Sequence, residues 1–257
     1  MGFDLQGLSF SYGPKRVLNS ISVTIEPGRF YGIIGPNGCG KTTLLDLMVR
    51  HRLPAEGTIT YNTRDLADYS KRELSRQIAL VPQNFYINFP YTAREIVMMG
   101  RYPYIPRFSA PAPEDHNMVE SIMEKTGTVD FRRRRITDLS GGERQRIVFA
   151  RALAQDTPVL MLDESTSNLD INYTLNLLGI VRRRVLTDKR TAVAVLQDIN
   201  LAAMFCDELI FMKQGQIFIQ GETDAVLNRD TLKSVFNVEA HIAFNEYSGS
   251  RQVAFRK

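Results

Sequence analysis

Residues 35–42 read GPNGCGKT, a glycine-rich run closed by a lysine and a hydroxyl side chain. Those residue types suit phosphate. Gly35, Gly38 and Gly40 permit backbone conformations that turn several N–H groups inward, while Pro36, Asn37 and Cys39 fill the loop and a helix starting at Lys41 adds its positive end. Lys41 is placed to reach the β and γ phosphates of a nucleotide, the Thr42 hydroxyl to ligate Mg²⁺, and Thr43 to complete the binding set. Residues 159–164, VLMLDE, form an apolar run ending in adjacent carboxylates. Asp163 is suited to holding Mg²⁺ through water, and Glu164 to orienting and polarising an attacking water. Residues 139–146, LSGGERQR, put Ser140, Gly141 and Gly142 at the opening of a helix, a second group of N–H donors with a hydroxyl.

These groups need elements to carry them. Residues 3–12, 17–26 and 30–34 read as strands, the second rich in β-branched residues, and residues 41–50 have helical apolar spacing at Leu44, Leu45, Leu47 and Met48. Strand, glycine loop and helix in that order is the context a phosphate site requires. Residues 58–61 and 78–81 read as further strands around a polar helical stretch, 71–76. From residue 90 to about 155 the pattern is helical, over 92–100, 114–126 and 141–154, interrupted by a proline-rich loop at 103–113. Apolar runs at 158–162, 191–196 and 209–212 then alternate with helices at 171–186 and 200–205, which implies parallel strands covered on both faces. Residues 222–257 read as two short helices followed by loose strands, and no internal repeat is visible.

Composition sets the outer limits. The 257 residues are 44% hydrophobic and 23% charged with 17 Gly and 11 Pro, which excludes collagen-like, disordered and low-complexity classes. No apolar run approaches the ~20 residues of a membrane span, and the first residues, MGFDLQG, lack the pattern of a secretory signal. Cys39 and Cys206 match no disulfide framework or metal spacing, so the chain is expected in the cytoplasm. The net charge is +4, with arginine clusters at 132–135 and 182–184 that read either as solvated faces or as attraction to anionic partners.

The octapeptide LSGGERQR, lying between the glycine loop and the acidic strand, makes the sequence resemble the ATP-binding subunits of ABC transporters over residues 3–225. The resemblance implies an α/β fold: a P-loop NTPase core with a parallel-strand sheet, a small antiparallel β subdomain and a helical subdomain. It implies one ATPase domain over 1–257, with the core at 1–83 and 156–225, the signature-bearing helical subdomain at 84–155 and a C-terminal extension at 226–257. Tyr12, in SYG, corresponds to the aromatic that stacks on adenine. Gln83, in VPQN, corresponds to the glutamine that senses Mg²⁺ and water, and residues 167–170 (SNLD) to the dimer-contact loop. ATP and Mg²⁺ are the implied cofactors. The implied assembly is a head-to-tail homodimer with two sandwiched ATP, in which Ser140–Gly142 serve the partner's nucleotide.

Two positions depart from the family. Ser165 stands where proline usually follows the catalytic glutamate, and Gln197 stands where histidine is typical. A glutamine amide can hydrogen-bond the γ phosphate but cannot carry a proton near neutral pH, so Gln197 joins Glu164 and Lys41 as a catalytic candidate with altered chemistry. MGRYPY, residues 99–104, resembles the segment of importers for iron–siderophore, haem and vitamin B12 compounds that lies where a permease docks. The implied function is to power import of such a metal chelate through an integral membrane permease at the cytoplasmic face of the inner membrane, served indirectly by a substrate-binding protein, with no nucleic acid partner. The alternative is a soluble ABC-type ATPase such as an iron–sulfur assembly factor.

Overall fold

Alternating apolar residues build the first sheet. Leu5 and Leu8 of β1 (Phe3–Tyr12) and Leu18, Ile21, Val23 and Ile25 of β2 (Lys15–Ile25) are buried together, and the strands pair antiparallel across a turn in which Gly13 has φ +56°. The computed structural model describes residues 2–85, 87, 89–165 and 169–256. They fall into two compact units, Met1–Tyr69 with Val181–Lys257, and Ser70–Ile180.

In the first unit, β3 (Phe30–Ile34) is buried at every position and leads through the glycine loop into α1 (Lys41–Met48). β4 (Glu56–Tyr61) pairs with β1, and the short β5 (Arg64–Asp65) with β4, giving the antiparallel order β2-β1-β4-β5.

The second unit opens with α2 (Lys71–Gln77), whose Ser70 and Glu73 cap its N-terminus reciprocally, and β6 (Ile78–Val81). It continues through α3 (Ala93–Met98), α4 (Pro113–Lys125), α5 (Gly141–Ala154), β7 (Val159–Asp163) and the start of α6 (Ile171–Asp188). β6 and β7 run parallel, from Ile78↔Val159 to Val81↔Leu162. The glycine of MGRYPY has a steric reason, because a Cβ on Gly100 would lie 2.2 Å from the Arg151 carbonyl oxygen of α5. The proline-rich loop behind it is pinned. Arg72 Nε and Arg76 Nε each donate to the Pro103 carbonyl at 2.9 Å, and the Tyr104 ring lies under the guanidinium groups of Arg76 and Arg101, at 5.5 and 4.3 Å.

Back in the first unit come β8 (Thr191–Val195), α7 (Ile199–Phe205), β9 (Glu208–Lys213), β10 (Gln216–Glu222), α8 (Thr223–Val226) and α9 (Arg229–Phe236). Its strands follow the order β10-β9-β3-β8, with β3 parallel to both neighbours. β8, like β3, is buried throughout, as apolar parallel strands should be. The last residues are more ordered than their sequence suggests. β11 (Glu239–Asn245) and β12 (Ser250–Arg256) form an unbroken antiparallel hairpin from Glu239↔Arg256 to Asn245↔Ser250. Among the described residues, no helix is long and apolar enough to cross a membrane.

Candidate functional site

Strand register places the candidate residues. In the first unit Ile33 of β3 pairs with Val195 of β8, so Gly35 and Gln197, each two residues further on, leave adjacent parallel strands at the same level. The Leu196 N–H donating to the Ile33 carbonyl at 3.3 Å carries the pairing to that point. The carboxyl ends of parallel strands are where such sheets bind ligands.

The loop between β3 and α1 is shaped by contact as well as by conformation. A Cβ on Gly35 would lie 2.2 Å from the Met212 carbonyl oxygen, and one on Gly40 would lie 2.5 Å from a Leu18 methyl. Gly40 also has φ +105° and serves as N-cap of α1 without a side-chain cap, which leaves the first-turn N–H groups directed at the loop. Gly38 has φ +77° and open space around it, so its backbone conformation alone calls for glycine. Lys41 is buried, and its Nζ donates to the carbonyls of Gly35 at 2.8 Å and Pro36 at 3.1 Å, arching the ammonium across the loop. Thr42 faces outward and Thr43 inward. Cys39 is buried with its sulfur under Gly35, and burial raises its thiol above the ordinary range although the Lys41 charge opposes this. Tyr12 ends β1 half-exposed, with its ring edge-on to Phe10 and the Arg52 guanidinium 4.7 Å from its centroid. Arg52 was not apparent from sequence, since nothing local links it to a tyrosine at the far end of a strand.

In the second unit the same register logic applies. Val81 pairs with Leu162, so Gln83 and Glu164 leave β6 and β7 side by side, and Gln83 Nε2 donates to Glu164 Oε2 at 2.7 Å. Asp163 is buried at the end of β7, and Glu164 holds a left-handed backbone with φ +44°. For a side chain other than glycine, that conformation costs about 1 to 3 kcal/mol and marks a position fixed by its surroundings. Ser165 is buried with its hydroxyl oxygen unpartnered among the described residues, while its carbonyl accepts from Gln145 Nε2 at 3.1 Å. Thr166, Ser167 and Asn168 lie outside the described residues, so the SNLD motif is seen only at Leu169 and Asp170.

Ser140 is the N-cap of α5. Its Oγ accepts the Glu143 N–H at 3.3 Å and Glu143 Oε2 accepts the Ser140 N–H at 2.8 Å, which holds the Glu143 carboxyl below the usual range. The box uses the third N–H of the helix and leaves those of Gly141 and Gly142 facing outward, where a Cβ on Gly141 would meet nothing within 4 Å. One turn on, Arg146 is buried between the rings of Phe131 and Tyr173, at 4.9 and 3.8 Å. Gln145 and Arg146 thus anchor the signature helix, a role the octapeptide does not announce because both partners are distant in sequence.

A strand, a glycine loop with an arched lysine and a helix N-terminus, with an acidic strand end elsewhere in the sheet elements, define an α/β nucleotide-binding fold of the P-loop NTPase class. The chain belongs to the ABC transporter family, whose model matches residues 18–167. Among curated proteins it is 38% identical over 250 residues to the cobalamin import ATP-binding protein BtuD of Halobacterium salinarum, covering 97% of this chain and 62% of that one. It is 34% identical over 243 residues to the ferric enterobactin transport ATP-binding protein FepC of Escherichia coli, covering 95% and 90%. The chain therefore spans about three-fifths of the length of the first of these relatives. Among solved structures, a metal-chelate type ABC transporter in an inward-facing conformation superposes with TM-score 0.84 at 26% identity, covering 99% of this chain and 96% of that one. A bacterial ABC transporter cassette solved as a dimer superposes with TM-score 0.78 at 27% identity, covering 86% and 98%.

Proposed function

We propose that the chain is the ATP-hydrolysing subunit of an importer for a metal chelate, with an iron–siderophore first in rank and a corrinoid or haem next. The similarity over nearly its whole length to a metal-chelate type transporter carries this reading, and the cobalamin and ferric enterobactin relatives support it. The division of labour follows from the side chains. Lys41 and the loop N–H groups bind the phosphates of ATP, Tyr12 offers an aromatic face to adenine, and Gln197 reaches the γ phosphate as a neutral donor. Glu164, held by Gln83, orients the attacking water and takes its proton.

The donors suit a hard cation: the outward Thr42 hydroxyl, the buried Asp163 carboxylate and Gln83 Oε1, the atom left once Nε2 is committed to Glu164. Mg²⁺ held by donors of this kind would neutralise charge developing on the phosphate oxygens. Two copies arranged head to tail would let the outward Ser140–Gly142 face complete the partner's ATP site, consistent with the dimeric cassette. The working location is the cytoplasmic face of the inner membrane, with the pinned loop at 103–106 against a permease that a substrate-binding protein supplies. Vesicles carrying the chain with the permease encoded beside it should accumulate a ferric siderophore only when ATP is supplied on the side of this subunit. Uptake that proceeds equally without ATP, or with no association between the chain and the permease, contradicts the reading.

A further inference from the structure

The helix that follows Gln197 is tied to the C-terminal hairpin by one side chain. Asn200, the second residue of α7, accepts the Val253 N–H on Oδ1 at 2.7 Å and donates from Nδ2 to the Val253 carbonyl at 3.3 Å. In an antiparallel ladder both backbone groups of a residue point to the same side, so Val253 turns these two away from its partner Ile242 and toward Asn200. The amide therefore acts as a one-residue continuation of the sheet. It meets a strand whose Val253 side chain is also buried.

The rest of the Gln197 loop is fixed at two points. On one side Leu196 is bonded to β3 through the Ile33 carbonyl. On the other, the Asp198 side chain accepts the N–H groups of Asn200 at 2.8 Å and Leu201 at 3.1 Å, so residues 197 and 198 move with the start of α7. Packing holds this corner against the C-terminal segment only in part: α7 lies against β12 and the Val253 side chain is buried. Beside that contact lies a cavity of about 630 Å³ whose lining includes Gln197 and Asp198 as well as Phe236, Val238 and Phe255. At the edge of that space the Asn200 amide is a directional link on α7, and directional bonds to a strand set the helix start more sharply than the apolar contact beside an open cavity can.

We propose that Asn200 is a positioning residue for hydrolysis, through which the hairpin β11–β12 holds Gln197 at the strand end beside the glycine loop. The inference rests on the reading of Gln197 as a γ-phosphate contact and adds a role for the C-terminal extension. Losing the link should leave ATP binding intact, because Lys41 and the loop are untouched, and should slow turnover by loosening one contact.

The test is a double-mutant cycle on the full-length chain with steady-state hydrolysis and nucleotide affinity as readouts. Asn200→Ala is expected to lower kcat about five- to tenfold with KM for ATP within twofold of the unaltered chain. Asn200→Asp, which keeps the acceptor for the Val253 N–H and loses the donor, should fall between the two and guards against a folding defect in the alanine variant. Introduced into a Gln197→Ala background, Asn200→Ala should cost no further kcat. A loss of the same size in both backgrounds, or a rise in KM instead of a fall in kcat, assigns Asn200 a structural role only and overturns the proposal. Unchanged turnover in Gln197→Ala overturns it together with that residue's place in the site, whereas an unaltered chain that hydrolyses no ATP refutes the proposed function itself.

Discussion

Gln83 and Glu164 are joined by a 2.7 Å hydrogen bond because the strands that end before them are in register, Val81 opposite Leu162. The amide thereby orients a carboxylate whose own backbone is held in a left-handed conformation. Removing the donor should free the carboxylate to rotate. Gln83→Ala is expected to lower kcat about ten- to hundredfold, the equivalent of about 1.5 to 3 kcal/mol for a hydrogen bond to a charged group, with ATP affinity little changed. Stopped-flow hydrolysis beside nucleotide titration checks this.

The residue after Glu164 carries a different liability. Ser165 buries a hydroxyl oxygen that finds no partner among the described residues. Ser165→Ala removes the desolvated group at little cost in volume and should stabilise the protein by about 1 kcal/mol. Urea unfolding of the two proteins measures it, and equal midpoints would show that the hydroxyl is satisfied.

Cysteine chemistry offers a pH test. Burial pushes the Cys206 thiol far above the ordinary range and Cys39 in the same direction, so folding disfavours both thiolates and neither side chain should react at neutral pH. The sign is that of a raised acid: a thiol whose folded pKa lies above its unfolded value adds no penalty below the unfolded value and destabilises the fold as pH rises past it. Iodoacetamide at pH 8 should label neither cysteine in the native protein and both in urea, as read by intact mass.

Much of this site was legible in the sequence because its residue types are dictated locally. Gly35 and Gly40 are forced by neighbouring atoms and, at Gly40, by a positive φ, Ser140 and Glu143 form their box within one turn, and apolar strands end where chemistry begins. What escaped sequence reading depends on partners brought together by the fold. Asn200 and Val253 are 53 positions apart, Gln145 reaches a carbonyl after the acidic strand, and Arg52 covers a tyrosine on another element. β10 escaped for a different reason: it is half-exposed along its length, and its only apolar stretch is the three residues Ile217, Phe218 and Ile219. The hairpin at the C-terminus reads as loose strands because β11 buries no residue fully and β12 only Ser250 and Val253.

Gln197 is exposed at its strand end and is one of the two positions at which sequence reading expects a departure from the family. A neutral amide can donate to the γ phosphate but cannot share its charge. Gln197→His is therefore expected to raise kcat about tenfold, close to 1.4 kcal/mol, with ATP affinity unchanged. Hydrolysis by both forms assembled with the permease decides it, and equal or lower activity in the histidine form would show that the amide is fully competent.

Under the proposed function, hydrolysis through Glu164 and completion of a second copy's nucleotide site by the outward Ser140–Gly142 face are separable steps. Glu164→Gln divides them, since it keeps a polar side chain within reach of Gln83 and removes the base. Gel filtration with multi-angle light scattering, in saturating Mg²⁺ and ATP, reads the first consequence directly. Glu164→Gln is expected to run as a dimer with ATP and as a monomer without it, while hydrolysing ATP at least about a hundredfold more slowly than the unaltered chain; a monomer at saturating ATP, or undiminished hydrolysis, would contradict these assignments.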